Sequence, residues 1–161
     1  MDLINIGKIV NTHGLKGEIK IISDFKYKTD VFKNNNIVYI NNIKYRIKTY
    51  RYHKIFDMIT LENINTIELA EELKGLNIYI ARNDYKFNGY LNEDIIGLNV
   101  YDKNIYKGKV IDILKTVTNE LLVIDGIKKH MVPNISEFIK EIDIKNKKIY
   151  IEYIRGLDNE D

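Results

Sequence analysis

The sequence predicts a mainly β protein built as two small barrel-like domains with one clear short helix. Three observations carry this reading. Short stretches of alternating apolar and polar residues recur along the chain. Asn-Asn, Asp-Lys-Asn and Asp-Gly turn signals separate several of them. Only residues 65–75 have a helical pattern with a start and a stop.

The opening element is a pair of alternating strands around a loop of His13, Gly14, Leu15, Lys16 and Gly17. Two glycines three residues apart suit a connection that needs positive φ or a close backbone approach. An ordinary tight β connection has the same requirement, so spacing alone does not separate a structural loop from a functional one. Residues 37–40 then lead through Asn41-Asn42 into residues 43–48, a hairpin signal because asparagine tolerates the left-handed region. Lys44, Arg46 and Lys48 fall on one face of that second strand, with Ile43, Tyr45 and Ile47 on the other. Tyr50 and Tyr52 keep the parity of the lysines, a conflict that a β-bulge or a strand end near Thr49 would resolve.

Residues 58–61 read as a further strand. The helix over 65–75 has Asn65 placed to cap it, Glu68 placed to reach back, and Gly75 placed to end it. Residues 78–80 return to the sheet, and a polar stretch over 82–92 marks the domain boundary. The expected division is 1–84, a linker over 85–92, a second domain over 93–157 and a tail over 158–161.

The second half repeats the strand pattern without repeating the sequence. Residues 95–101 turn at Asp102-Lys103-Asn104 into a long strand over 105–114, where Gly108 suggests a bulge. Residues 121–124 meet 127–132 through a two-residue Asp125-Gly126 turn, and Pro133 closes that strand. A single helical turn is expected around 137–139. Residues 142–144 and 149–151 then pair to complete a small closed sheet.

Composition bounds the chemistry. The chain has 161 residues and 45% hydrophobic content, enough for a real core. Its formal net charge is +2, so contact with nucleic acid would need a local patch. It has no cysteine, which excludes disulfides and thiolate chemistry, and no apolar run approaching the roughly 20 residues that span a bilayer. A soluble cytoplasmic protein is expected. His13, His53 and His130 lack the close pairing of helix-borne zinc sites, and Ser23 and Ser136 lie in no nucleophile elbow. Gly14 to Gly17 is too short for a phosphate loop and is followed by a strand. No catalytic constellation, metal site or cofactor is expected.

Binding is better supported. Lys44, Arg46, Lys48, Tyr50, Arg51, Tyr52 and His53 interleave cations with rings, the mixture that neutralises phosphates and stacks on bases. A half-buried strand guarding a sheet edge carries the same pattern. Tyr90 and Leu91 form an apolar pair in a polar stretch, placed to pack between the domains or to be displayed to a partner.

Residues 6–21, with the His13 to Gly17 loop, resemble the amino-terminal signature of the RimM family of ribosome maturation factors. The likeness continues in order through His53-Lys54, the helix Ala70-Glu71-Glu72-Leu73-Lys74-Gly75-Leu76, Asp94 to Val100, Gly108 to Ile113, Met131-Val132-Pro133, 142–151 and Gly156-Leu157. The resemblance implies a translation-factor-like amino-terminal barrel followed by a PRC barrel, and a non-enzymatic assembly factor. Such a factor binds the immature small ribosomal subunit near its head, associates with small-subunit ribosomal protein nineteen, and assists small-subunit rRNA folding and processing. It also implies that Gly14, Leu15, Lys16, Gly17, Tyr90, Leu91 and Pro133 serve the ribosomal or partner contact. Lys16 stands where the family has arginine, keeping the charge but losing the bidentate fork, and Leu91 replaces the second residue of a tyrosine pair. A general single-stranded RNA-binding module is the alternative reading.

Overall fold

The computed structural model describes residues 2–152. Gly156-Leu157, the end of the second domain and the tail expected over 158–161 lie outside the described residues. Met1–Asn88 and Gly89–Asp161 form separate compact units.

The first unit contains β1 (Leu3–His13), β2 (Glu18–Ile22), α1 (Lys28–Val31), β3 (Ile37–Ile40), β4 (Ile43–His53), β5 (Phe56–Leu61), α2 (Ile67–Glu71) and β6 (Asn77–Ala81), followed by a 3-10 turn at Arg82–Asp84. Its six strands close into a barrel in the order β1-β2-β5-β4-β3-β6. Closure leaves no unpaired edge. Alternation points Ile19, Ile21, Val38, Ile40, Ile47, Ile59, Ile78 and Ile80 into the barrel, all fully buried. Each such residue contributes roughly 1.5–3 kcal/mol.

The local turn chemistry follows the sequence. Asn41 and Asn42 both have positive φ and join the β3–β4 hairpin. The β4–β5 register shifts between Ile47 and Thr49, so Lys48 is the bulged residue that resolves the parity conflict. The helix is shorter than expected and its cap is Thr66, not Asn65: the Thr66 hydroxyl accepts from the Leu69 N–H. Asn65 lies one residue too far out to serve the first turn. Gly75, at φ +88°, ends the turns that follow.

The second unit comprises α3 (Asn92–Ile95), β7 (Asn99–Asp102), β8 (Ile105–Lys115), β9 (Glu120–Asp125), β10 (Lys129–Pro133), β11 (Ile139–Asp143) and β12 (Lys148–Ile151). Ile95 thus ends a short helix and does not open a strand. The helix starts where Asp94 Oδ2 accepts from the Leu91 N–H at 3.0 Å. The sheet order is β10-β9-β8-β7-β12-β11, with β7 and β12 parallel. It is barrel-like but not closed by hydrogen bonds among the described residues. β10 and β11 remain its two ends, because residues 134–138 make a turn between them, with Phe138 and Ile139 N–H both reaching the Ile135 carbonyl. The β9–β10 connection is also longer than the expected two residues. Asp125 pairs with Lys129, leaving Gly126, Ile127 and Lys128 in the loop. The bulge expected near Gly108 is present, with Lys107 the extra residue between two ladder pairs. Val100, Val110, Leu122, Ile124, Val132 and Ile149 form the centre of this unit's core.

Candidate functional site

The β1–β2 tip is held from beneath. Gly17 has φ +85°, and a Cβ there would stand 2.5 Å from the Ile64 carbonyl oxygen. Glycine is therefore required twice, for backbone conformation and for the close approach to the chain entering α2. Gly14, at φ +73°, meets only the first requirement, since nothing lies within 4 Å of its notional Cβ. Between them Leu15 is 81% exposed and Lys16 is exposed. An isolated exposed leucine is ordinary. One set at the apex of a glycine-locked loop is a displayed side chain.

At the foot of the same loop, Arg51 donates to both carboxylate oxygens of Glu18, from Nε at 2.9 Å and Nη2 at 2.8 Å. These bonds hold the Glu18 carboxyl below its usual range against the opposing effect of burial, and raise Arg51 in return. The fork couples β2 to β4 on the outside of the barrel.

The cation-and-ring run divides at the bulge. Lys44, Lys48, Tyr52 and His53 are exposed. Arg46 donates from Nη1 to the Asn35 carbonyl at 3.0 Å and stands 3.8 Å from Glu62. Tyr50 differs from its sequence placement among the outward cations, because the bulge turns its ring inward onto Phe32, with centroids 6.0 Å apart. Its hydroxyl donates to Asp57 Oδ1 at 2.7 Å. Burial, then this bond, pushes the Tyr50 hydroxyl far above its ordinary value.

Asp57 was not visible as a special residue in the sequence, and it is wholly buried. Its second oxygen lies 2.9 Å from Lys28 Nζ, which also donates to the Ser23 carbonyl at 3.1 Å and lies 5.0 Å from the centre of the Tyr52 ring. An acid within the apolar run Phe56–Leu61 was the available signal.

The stretch read as a polar linker also carries structure. Phe87 stacks on Tyr27 at 4.8 Å and on Tyr85 at 5.6 Å, and meets Phe25 edge-on at 5.6 Å. Burial, with Asp84 adding to it, raises the Tyr85 hydroxyl to about 12. The i, i+2 spacing of rings at 25 and 27 and at 85 and 87 was the signal.

In the second unit, Tyr90 is exposed and its hydroxyl reaches the Ile142 carbonyl at 3.5 Å. Leu91 is 3% exposed, so its side chain is buried and is not displayed at the surface. Pro133 ends β10, the edge strand, paired with Leu121. Among the described residues no group of three or more His, Asp or Glu side chains is placed to hold a metal ion, and no helix is long and apolar enough to cross a membrane.

Residues 4–85 match the RimM N-terminal domain and residues 92–157 the RimM PRC barrel domain. The chain is 39% identical over 163 aligned positions to the ribosome maturation factor RimM of Staphylococcus aureus strain bovine RF122 / ET3-1, covering 96% of this chain and 98% of the relative. The protein of the same name from Staphylococcus aureus strain Newman is 38% identical with the same coverage. A solution structure of the N-terminal domain of RimM from Thermus thermophilus aligns with 55% of this chain and all of its own, at 21% identity and a TM-score of 0.47. With both domains matched in order and near-complete mutual coverage of relatives well above 30% identity, the chain belongs to the RimM family.

Proposed function

We propose that this chain is a cytoplasmic, non-enzymatic ribosome maturation factor that binds the immature small ribosomal subunit through small-subunit ribosomal protein nineteen and rRNA, and assists rRNA folding and processing. The observation that carries this reading is the match to proteins named ribosome maturation factor over 96% of the chain. The displayed Leu15 and Lys16 on a glycine-locked tip give the amino-terminal unit a preformed contact, together with the exposed Lys44, Lys48 and His53. Tyr90 and the Pro133 edge are the contact candidates of the second unit. A binder of this kind acts by population shift. It binds one arrangement of the unfinished subunit more tightly than the alternatives and so enriches it, with no bond chemistry.

Cosedimentation tests the reading. The protein is expected to pellet with immature small subunits in preference to mature ones, and Leu15→Ser with Lys16→Glu is expected to abolish the preference while leaving thermal unfolding unchanged. Equal binding to both kinds of subunit, or none, overturns it. The general single-stranded RNA-binding reading predicts instead steeply salt-dependent binding to naked RNA and no preference among subunits.

A further inference from the structure

We infer that Asn88-Gly89 is a self-modification site, where the folded chain loses ammonia from Asn88 through a cyclic imide and becomes aspartate and isoaspartate. The inference goes beyond the proposed function and does not depend on it.

Asn88-Gly89 is the one Asn-Gly pair in the sequence. The chemistry needs a backbone nitrogen free to reach the side chain before it. Gly89 N bonds to Asn88 Cγ as its amide proton passes to water; the Cγ–Nδ2 bond breaks and ammonia leaves. Water then opens the ring at either carbonyl. One opening gives aspartate, and the other gives isoaspartate, in which the main chain continues through the side-chain carbon. The sum consumes a water and releases an ammonia, with no oxidant, reductant or cofactor. Glycine in the second position favours ring closure because no Cβ shields its nitrogen or restricts its rotation.

The fold leaves this pair open while fixing the chain on both sides of it. Asn88 and Gly89 are both exposed. Among the described residues neither takes part in a hydrogen bond. Just before them, Phe87 is stacked on Tyr27 and Tyr85. Just after them, Leu91 is buried and its N–H donates to Asp94 Oδ2 at 3.0 Å. The pair therefore sits in a short exposed span between two anchors, and turning it toward the ring-closing geometry breaks no ladder bond.

Elsewhere the same chemistry is blocked. Asp125-Gly126 could close the same ring with loss of water, but Asp125 is paired with both Lys109 and Lys129, and Gly126 lies tight against the Lys107 carbonyl. Asn42 and Asn104 are exposed turn residues, yet each precedes an isoleucine whose branched side chain shields the nitrogen. At Asn88 the product lowers the formal net charge from +2 by one unit. Its isoaspartyl form also adds a main-chain carbon to the peptide link between Met1–Asn88 and Gly89–Asp161.

Incubation of the full chain at mildly alkaline pH, native and in urea, tests the assignment by ion exchange and by peptide mapping that separates aspartate from isoaspartate. In the native chain Asn88 is expected to convert about ten-fold or more faster than Asn42 or Asn104, the scale on which near-attack geometry sets rates. Its native rate should approach its rate in urea. Asn88→Gln, which would need a larger ring, is expected to form no acidic species on that timescale, with its thermal unfolding unchanged. An Asn88 that stays intact in the native chain overturns the inference, whatever it does in urea. Equal conversion of Asn42 or Asn104, or isoaspartate forming at Asp125 as fast as at Asn88, overturns it too, because the fold would then not select the site. So does an acidic species that accumulates undiminished in Asn88→Gln.

Discussion

The carboxylate of Asp57, fully buried in the first unit, is held 2.9 Å from the ammonium of Lys28, whose side chain keeps 26% of its surface in solvent. The asymmetry decides what each substitution does. Lys28→Met strands a buried carboxylate with only the Tyr50 hydroxyl to answer it, and is expected to destabilise the unit by on the order of 3 kcal/mol. Asp57→Asn leaves a cation that can swing toward water, so a smaller loss of about 1–2 kcal/mol is expected. Because each change removes the same contact, the double variant should lose less than the sum. Urea denaturation of the four proteins checks this, and strict additivity would show that the pair does not couple.

That ion pair also marks where sequence reasoning stops. Asn41-Asn42 was legible as a turn because the requirement for positive φ is local, and the bulge at Lys48 was legible as a parity conflict within one strand. That Tyr50 turned inward was not, since the bulge could be inferred only as a region and its consequence depends on Phe32 and Asp57. Lys28 and Asp57 are 29 residues apart, and no local pattern pairs them. The displayed loop was found through its glycines, but the reason Gly17 must be glycine lies in the Ile64 carbonyl of a distant segment.

Gly14 and Gly17 should therefore respond differently to the same change. Gly14→Ala meets only the penalty for a non-glycine residue in the left-handed region, about 1 kcal/mol. Gly17→Ala adds a collision with backbone at 2.5 Å that a flexible side chain cannot relieve, and is expected to lose at least twice as much. Chemical denaturation ranks the two, and equal losses would rule out the close approach as the constraint.

Glu18 supplies an acid-side signature. Its carboxyl is held below the ordinary value of 4.5, chiefly by the hydrogen bonds from Arg51. The unfolded chain therefore takes up the proton first as pH falls. The stabilisation is complete above pH 4.5 and is lost as the pH drops through the lower value of the folded state. Arg51→Ala removes the cause of the depression. Its unfolding midpoint should fall less steeply with acid below pH 4.5 than that of the unaltered protein, and parallel curves would show that the fork contributes nothing to the linkage.

Phe87 tests where the first unit ends. Sequence composition places the boundary at 84, ahead of a stretch that looks like linker, whereas compactness extends the unit through Asn88. The difference is physical: Phe87 stacks on both Tyr27 and Tyr85 and meets Phe25 edge-on. Each such pair contributes about 0.5–1.5 kcal/mol beyond the area it buries. Phe87→Ala is thus expected to destabilise the unit by about 2 kcal/mol, less than for a fully buried phenylalanine because the ring is half-buried. A chain of residues 1–84 lacks Tyr85 as well as Phe87 and should unfold earlier in urea than a chain of residues 1–88. Matching midpoints would return residues 85–88 to the linker; a deficit in the shorter chain that Phe87→Ala reproduces in part would assign them to the amino-terminal unit.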